Sequence, residues 1–387
     1  MPGAKARRDV GMREIEGRDR KKYICIGGDK PLKKVFRQVV AVALVVTLAM
    51  LSLCSCGKAD VAISKEPPGT VISETAGEVT IVDQAGREVT VNKDPESIAL
   101  CYRVVIRFLL SLDRGGNITG IGKTEEFLLE LQPSLRDCVD VGQGVADIEA
   151  LAELKPDLFI HKASDVETLE AVKKIGIPAV GIDVETPEDM MIALKILGKI
   201  CAAEAKADEL ISYYNRQLKE IDELAEKIGE KGKTDKKTAI VMGSSIGKVA
   251  DATMLQGEML QRAGGINCAG DIEASELWPT AGTEQIFKWN PEYIFITGSE
   301  SAVYDESDII SDSAWSEIEA VKNGNVYVMP ATGDSWEFPG IVSILGIYYM
   351  MHSMYPQLVS EEMLEDRVNE FYELSYGRTF DRSKLGY

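Results

Sequence analysis

Two segments 135 residues apart repeat one pattern. IEALAELKPDLFI at 148–160 aligns without a gap on TEQIFKWNPEYIF at 283–295. Each predicts a short helix that carries a Glu in its first turn, Glu149 in one and Glu284 in the other. Each then breaks at a residue followed by Pro and an acid, because a residue before Pro is pushed out of the helical region. Each resumes as a short apolar strand, the kind that is buried on both faces. A chain that does this twice is constrained to fold as two similar α/β lobes.

The pattern between the repeats agrees. EVTIVDQAGREVTV alternates about DQAG and predicts a hairpin with strands near 78–82 and 87–91. Apolar runs at 97–101, 117–121, 157–161 and 178–182 read as strands, and FLLELQPSL, IEALAELK, VETLEAVKKIG and PEDMMIALKILGKI read as helices between them. Such alternation predicts mainly parallel sheets covered by helices. Residues 202–229 form a single amphipathic pattern, about 40 Å long at ~1.5 Å per residue. The α/β alternation restarts after it at KTAIVMG. The expected organisation is an N-terminal lobe over 78–201, a linking helix over 202–229 and a C-terminal lobe over 236–387.

The first 55 residues are set apart from this fold. VVAVALVVTLAMLSL at 39–53 is uncharged, follows the basic KPLKKVFRQ and falls short of the ~20 residues of a spanning helix. It reads as an export signal. Residues 1–31 are too long and mixed for a signal's basic region, which puts the expected start near Leu32 or Val35. The signal ends in LCSCG. This resembles the lipobox of bacterial lipoproteins, with Leu53 three positions before Cys56 and the small Ser55 next to it. Cys54 at the middle position departs from the usual Ala, Ser or Val. The resemblance implies lipid on Cys56. Residues 56–77, rich in Pro, Gly and Ser, read as a flexible tether.

The chain carries a formal net charge of −19, and the part after residue 55 has 31 basic and 57 acidic residues, a net −26. That excess disfavours nucleic acid and anionic membrane as partners. Cys101, Cys138, Cys201 and Cys268 show no CxxC pair and define no metal or disulfide framework. With only two histidines, His161 and His352, a bare-metal site of several His and carboxylate ligands is not expected. GNITGIGKT has Asn117 where a phosphate loop needs Gly. GSSIG at 243–247 matches a nucleophile elbow with Ser245, which leaves a secreted α/β hydrolase using Ser245 and His352 as the alternative.

The order of pieces resembles a known family: substrate-binding proteins of ABC importers for iron complexes, haem and corrinoids. They are EVTIVDQAGREVTV, ELKPDLFI, IGIPAVGID, LQRAGGIN, TEQIFKWNPEYIFI, WSEIEAVKNGNVYVMP and LGIYYMMHSMYP, spread over residues 78–355. The resemblance implies two α/β lobes joined by one long rigid helix, the class III periplasmic-binding-protein arrangement. It implies a monomer, with no catalysis and no cofactor of its own, that holds a metal chelate as cargo. Its partners would be an ABC permease and that permease's ATPase, at an extracytoplasmic membrane surface. By position, Glu149 and Glu284 match acidic residues that dock on the permease, although an acid in a first helical turn is also favoured by the helix dipole. Cleft residues vary in this family and are expected on loops after strands: Tyr102, Arg103, Lys123, Thr124, His161, Lys162, Ser244, Trp278 and Trp336. Aromatic side chains there would cover a planar chelate, and the cations would pair with its carboxylates.

Overall fold

The computed structural model describes residues 63–230, 236–272, 277–298, 302–331 and 333–380. The signal, the lipobox and Cys56 lie outside the described residues. A meander comes first: β1 (Val71–Glu74), β2 (Glu78–Val82) and β3 (Glu88–Asn92), all antiparallel. Strand β1 lies within the segment expected as tether. The chain turns back at Gly69, whose φ of 86° only glycine adopts easily, and VISE pairs on the open edge of the hairpin.

The N-terminal lobe is a parallel sheet in the order β6-β5-β4-β7-β8. Its strands are β4 (Ile98–Leu100), β5 (Ile118–Ile121), β6 (Val139–Asp140), β7 (Leu158–Lys162) and β8 (Ala179–Ile182). The connecting helices are α1 (Val104–Ser111), α2 (Glu126–Leu131), α3 (Ile148–Leu154), α4 (Val166–Lys174) and α5 (Pro187–Ile200). Helix α6 (Glu204–Glu230) then runs 27 residues to the second lobe. There β9 (Thr238–Met242), β10 (Ile266–Asn267), β11 (Tyr293–Ile296) and β12 (Val326–Val328) form a parallel sheet in the order β10-β9-β11-β12. Helices α7 (Leu255–Arg262), α8 (Thr283–Trp289), α9 (Glu306–Ile310) and α10 (Glu319–Lys322) flank it, and α11 (Ser343–Met354) and α12 (Glu361–Tyr376) close the chain.

The repeat has a physical basis. Helices α3 and α8 both end on a left-handed residue, Lys155 (φ 52°) and Asn290 (φ 46°), and Pro follows each. The acid after each Pro then fastens the start of the neighbouring strand. Asp157 accepts the N–H groups of Glu96 and Ser97 ahead of β4, and Glu292 accepts that of Thr238 at the start of β9. The motif thus ends a helix and aligns two strands in each lobe.

One hydrophobic cluster runs through both lobes and includes Ile98, Phe108, Leu194, Tyr214, Leu260, Phe295, Trp336 and Tyr348. The lobes also meet away from α6. Helix α12 packs against α1. Phe127 of α2 makes edge contacts with Tyr372 and Tyr376 of α12, and Arg378 beyond it donates to the carbonyls of Glu130 and Leu131. The C-terminal helix therefore bridges the lobes as well as completing the second. Among the described residues no helix is long and apolar enough to cross a membrane.

Candidate ligand cleft

In each sheet the strand order reverses at one point, between β4 and β7 in the first lobe and between β9 and β11 in the second. Open parallel sheets bind ligands outside the carboxyl ends of the strands at such points. The residues there are Cys101 to Arg103 after β4, Gly243 and Ser244 after β9, and Thr297 and Gly298 after β11.

On the first-lobe side, Tyr102 is half-buried, and the Lys162 ammonium sits 5.8 Å from its ring centroid. Lys162 also pairs with Glu185 at 2.7 Å. Burial, with help from Glu185, Asp183 and Asp189, holds the Tyr102 phenol well above its usual range. Arg103 approaches Glu125 at 3.4 Å, and Thr124 donates to the same carboxylate. Lys123 is exposed beside them. On the second-lobe side, the Trp278 indole packs against the backbone after β9. A Cβ at Gly243 would fall 2.6 Å from its Cε3, so only glycine admits the ring. Tyr304 donates to the Gly243 carbonyl at 2.9 Å, and Ser244 is exposed.

Two expected ligand contacts lie elsewhere. His161 is 2% exposed. Leu158 and Ile160 of β7 face the core shared by the lobes, whereas Phe159 points to the outer helix layer. His161 has the parity of Phe159 and stacks on it. Its Nε2 lies 3.0 Å from Asp165, the residue that caps α4. His161 is therefore a packing and capping residue. Trp336 is 1% exposed and packs edge-on against Tyr349. Its loop is drawn inward by the residues on either side of it, as described next.

Asp334 is fully buried and accepts from Arg107 Nε at 2.5 Å and from Tyr376 at 2.7 Å. The Arg107 guanidinium also stacks 4.9 Å from the Phe338 ring centroid. Glu337, one residue beyond Trp336, accepts from the Thr297 hydroxyl and from the Gly298 N–H at 2.8 Å. Burial raises its carboxyl to about 7 against those two hydrogen bonds, and among the described residues its Oε2 has no hydrogen-bond partner. Sequence reasoning missed Gly243, Arg107, Asp334 and Glu337, because each acts through a partner distant in sequence.

Glu337 makes stability depend on pH. Its folded pKa is raised, so its contribution is full below about 4.5 and is lost as pH rises to about 7, at ~1.4 kcal/mol per pH unit. Glu337→Gln keeps an acceptor for Thr297 and Gly298 and should remove that slope. Denaturant unfolding at pH 5 and pH 8 checks this: the variant should gain on wild type at the higher pH. An unchanged difference between the two would contradict it.

The hydrolase alternative is not favoured. His352 lies in α11, and its Nδ1 donates to the Val359 carbonyl. Three residues on, Tyr355 accepts the Lys237 N–H at the amino end of β9. Ser245 is at the carboxyl end of that strand, and among the described residues no hydrogen bond joins it to His352. Among the described residues Cys101, Cys138, Cys201 and Cys268 are unpaired thiols, and burial pushes Cys101 and Cys201 up to about 12. Among the described residues no group of three or more His, Cys, Asp or Glu is placed to hold a bare metal ion.

A model of the family described as periplasmic binding protein matches residues 98–332, more than half of the chain. The chain belongs to the periplasmic binding protein family. Two relatives agree along nearly their whole length. The ABC transporter substrate-binding lipoprotein YvrC of Bacillus subtilis is 27% identical over 81% of this chain and 96% of its own. The molybdate-binding protein MolA of Haemophilus influenzae is 23% identical over 78% and 91%. A periplasmic solute binding protein of Veillonella parvula superposes with a TM-score of 0.69 at 25% identity, over 79% of this chain and 95% of that one. The fold of this binding protein is the class III arrangement of two α/β lobes on one long helix.

Proposed function

We propose that this binding protein captures a metal chelate between its lobes and hands it to the permease of an ATP-driven importer, working as a monomer held to the membrane by lipid on Cys56. The observation that carries the reading is that Tyr102 and Arg103 stand at the reversal point of one sheet and Trp278, packed on Gly243, at that of the other. Two aromatic side chains and a guanidinium thus lie on the edges where such sheets bind ligands. Lys123, Thr124, Lys162 and Ser244 extend the same edge. No chemical step is needed. The loaded form fits the permease better than the empty one, and ATP hydrolysis supplies the work. Helix α6, together with α12, limits closure to a small rotation.

Isothermal titration with ferric and cobalt chelates tests the cleft. Tyr102→Ala and Trp278→Ala should each weaken binding by ~1–3 kcal/mol, the cost of truncating an aromatic contact. His161→Ala should leave affinity unchanged. Wild-type affinity in both aromatic variants would rule out this cleft.

The lipid anchor rests on the lipobox resemblance alone. Cys56→Ala should release the protein from membranes or stall its processing, as read by fractionation and immunoblot. Unaltered membrane retention and processing would remove Cys56 as the lipidated residue.

A further inference from the structure

We infer that the cleft selects neutral or cationic organic metal chelates with apolar edges, such as ferric trihydroxamates or corrinoids, over anionic cargo such as molybdate, ferric citrate or ferric catecholates. This rests on the proposed function and adds the charge class of the cargo. The first observation is that the cations of the cleft are committed to carboxylates of the protein itself. Arg103 faces Glu125, and Lys162 holds Glu185. Arg107, one turn along α1, is buried against Asp334. A multiply charged anion would have to break these pairs, and separating a partly buried pair leaves its carboxylate facing the anion. Lys123 has no side-chain partner among the described residues, but it is exposed, where solvent and salt screen it.

The second observation is the excess of acid beside Tyr102. Gln84 bonds to the backbone of both Asp183 and Asp189, which flank Glu185 between β8 and α5, and Glu185 holds the ammonium that lies by the Tyr102 ring. Burial, and then Glu185 and Asp189, raise the Asp183 carboxyl above its usual range. The mutual repulsion within this group is a field that repels an anion and attracts a cation. Across the cleft, Trp278, Tyr304 and Ser244 add no charge, and Lys248 already has a partner.

The third observation is exposed apolar side chains on loops that leave the strands. Val145 follows β6, Ile246 follows β9, Leu277 follows β10 and Val303 follows β11, and all four side chains are exposed. Single exposed apolar residues are ordinary. Four on loops that follow strands of both lobes suit a cargo with hydrocarbon edges, which molybdate and citrate lack.

The experiment titrates the full chain, following tryptophan fluorescence, with five probes: a ferric trihydroxamate bearing a free ammonium, a corrinoid, ferric citrate, a ferric tris-catecholate and sodium molybdate. The trihydroxamate or the corrinoid should bind at least about tenfold tighter than every anion, and which of the two binds names the source. Glu185→Gln frees Lys162 and should shift the ratio of ferric citrate to trihydroxamate or corrinoid affinity by about threefold toward citrate. Ferric citrate or the tris-catecholate binding tightest would overturn this inference and leave the proposed function standing, whereas molybdate binding tightest would overturn both. An unmoved ratio in Glu185→Gln would overturn the charge argument and leave the proposed function standing. Failure of all five probes to bind would overturn the proposed function and the inference together.

Discussion

Reversing both Glu149 and Glu284 to Lys is expected to abolish uptake of the cargo while leaving its affinity for the binding protein unchanged. The two residues occupy equivalent places in the two lobes, each in the first turn of a short helix that feeds a central strand. Both side chains are exposed, and among the described residues neither has a hydrogen-bonding or ionic partner. An exposed acid contributes to its own helix only through the dipole, ~0.3–1 kcal/mol. The double variant should therefore fold, and its cleft residues are on other loops. A membrane partner with a cation opposite each lobe would lose two attractions and gain two repulsions. Charge reversal at such contacts costs several kcal/mol and falls mainly on complex formation. Whole-cell uptake of a labelled chelate, with calorimetric affinity of the purified variant beside it, separates the two effects. Normal uptake by the double variant would end the docking assignment, whereas loss of chelate affinity would assign the two acids to the fold instead.

Much of this architecture was legible because its signals are local. The x-Pro-acid break forces a helix to stop and a strand to start within a few residues, so the repeat gave the lobes directly. PEDMMIALKILGKI is a helix over the expected 187–200, since Thr186 and Asp189 form a capping box ahead of Pro187. The positions of Tyr102 and Arg103 after β4 and of Trp278 in the loop after β10 were legible because they directly follow strands or sit in a loop between elements. What escaped reading depended on parity or distance. His161 does end a strand, but whether odd or even residues of β7 face the core cannot be read from a run that is apolar throughout. Trp336 sits in the polar loop TGDSWEFPG, yet Asp334 and Glu337 turn that loop inward. Helix α1, VVIRFLLS, lacks an amphipathic stripe, because every one of its residues is buried. An arginine in such a run signals nothing until its partner, 227 residues away, is known.

That arginine gives the largest expected effect on stability. Arg107 is 5% exposed and Asp334 is 0% exposed, and they belong to different lobes. Burial disfavours the guanidinium charge, but Asp334 and then Glu125 hold it in place. Arg107→Ala would leave Asp334 with the Tyr376 hydroxyl and the Arg107 site empty beneath Phe338. Removing one member of a buried pair costs ~3–5 kcal/mol, because the other charge remains buried without compensation. Against a total of ~5–15 kcal/mol for a typical domain, that is a large share. Asp334→Ala should cost a similar amount for the converse reason, since among the described residues the Arg107 Nη1 already lacks a hydrogen-bond partner. The double variant should lose less than the two single losses combined, by a coupling of ~0.5–3 kcal/mol. The same pair ties the loop after β12 to helix α1, so its loss should also loosen one lobe against the other and speed amide exchange in residues 333–340. Denaturant unfolding of the four proteins in the cycle, with hydrogen exchange on the folded ones, measures both effects. Additive losses with no change in exchange would mean that α6 and the packing of α12 hold the lobes together without this ion pair.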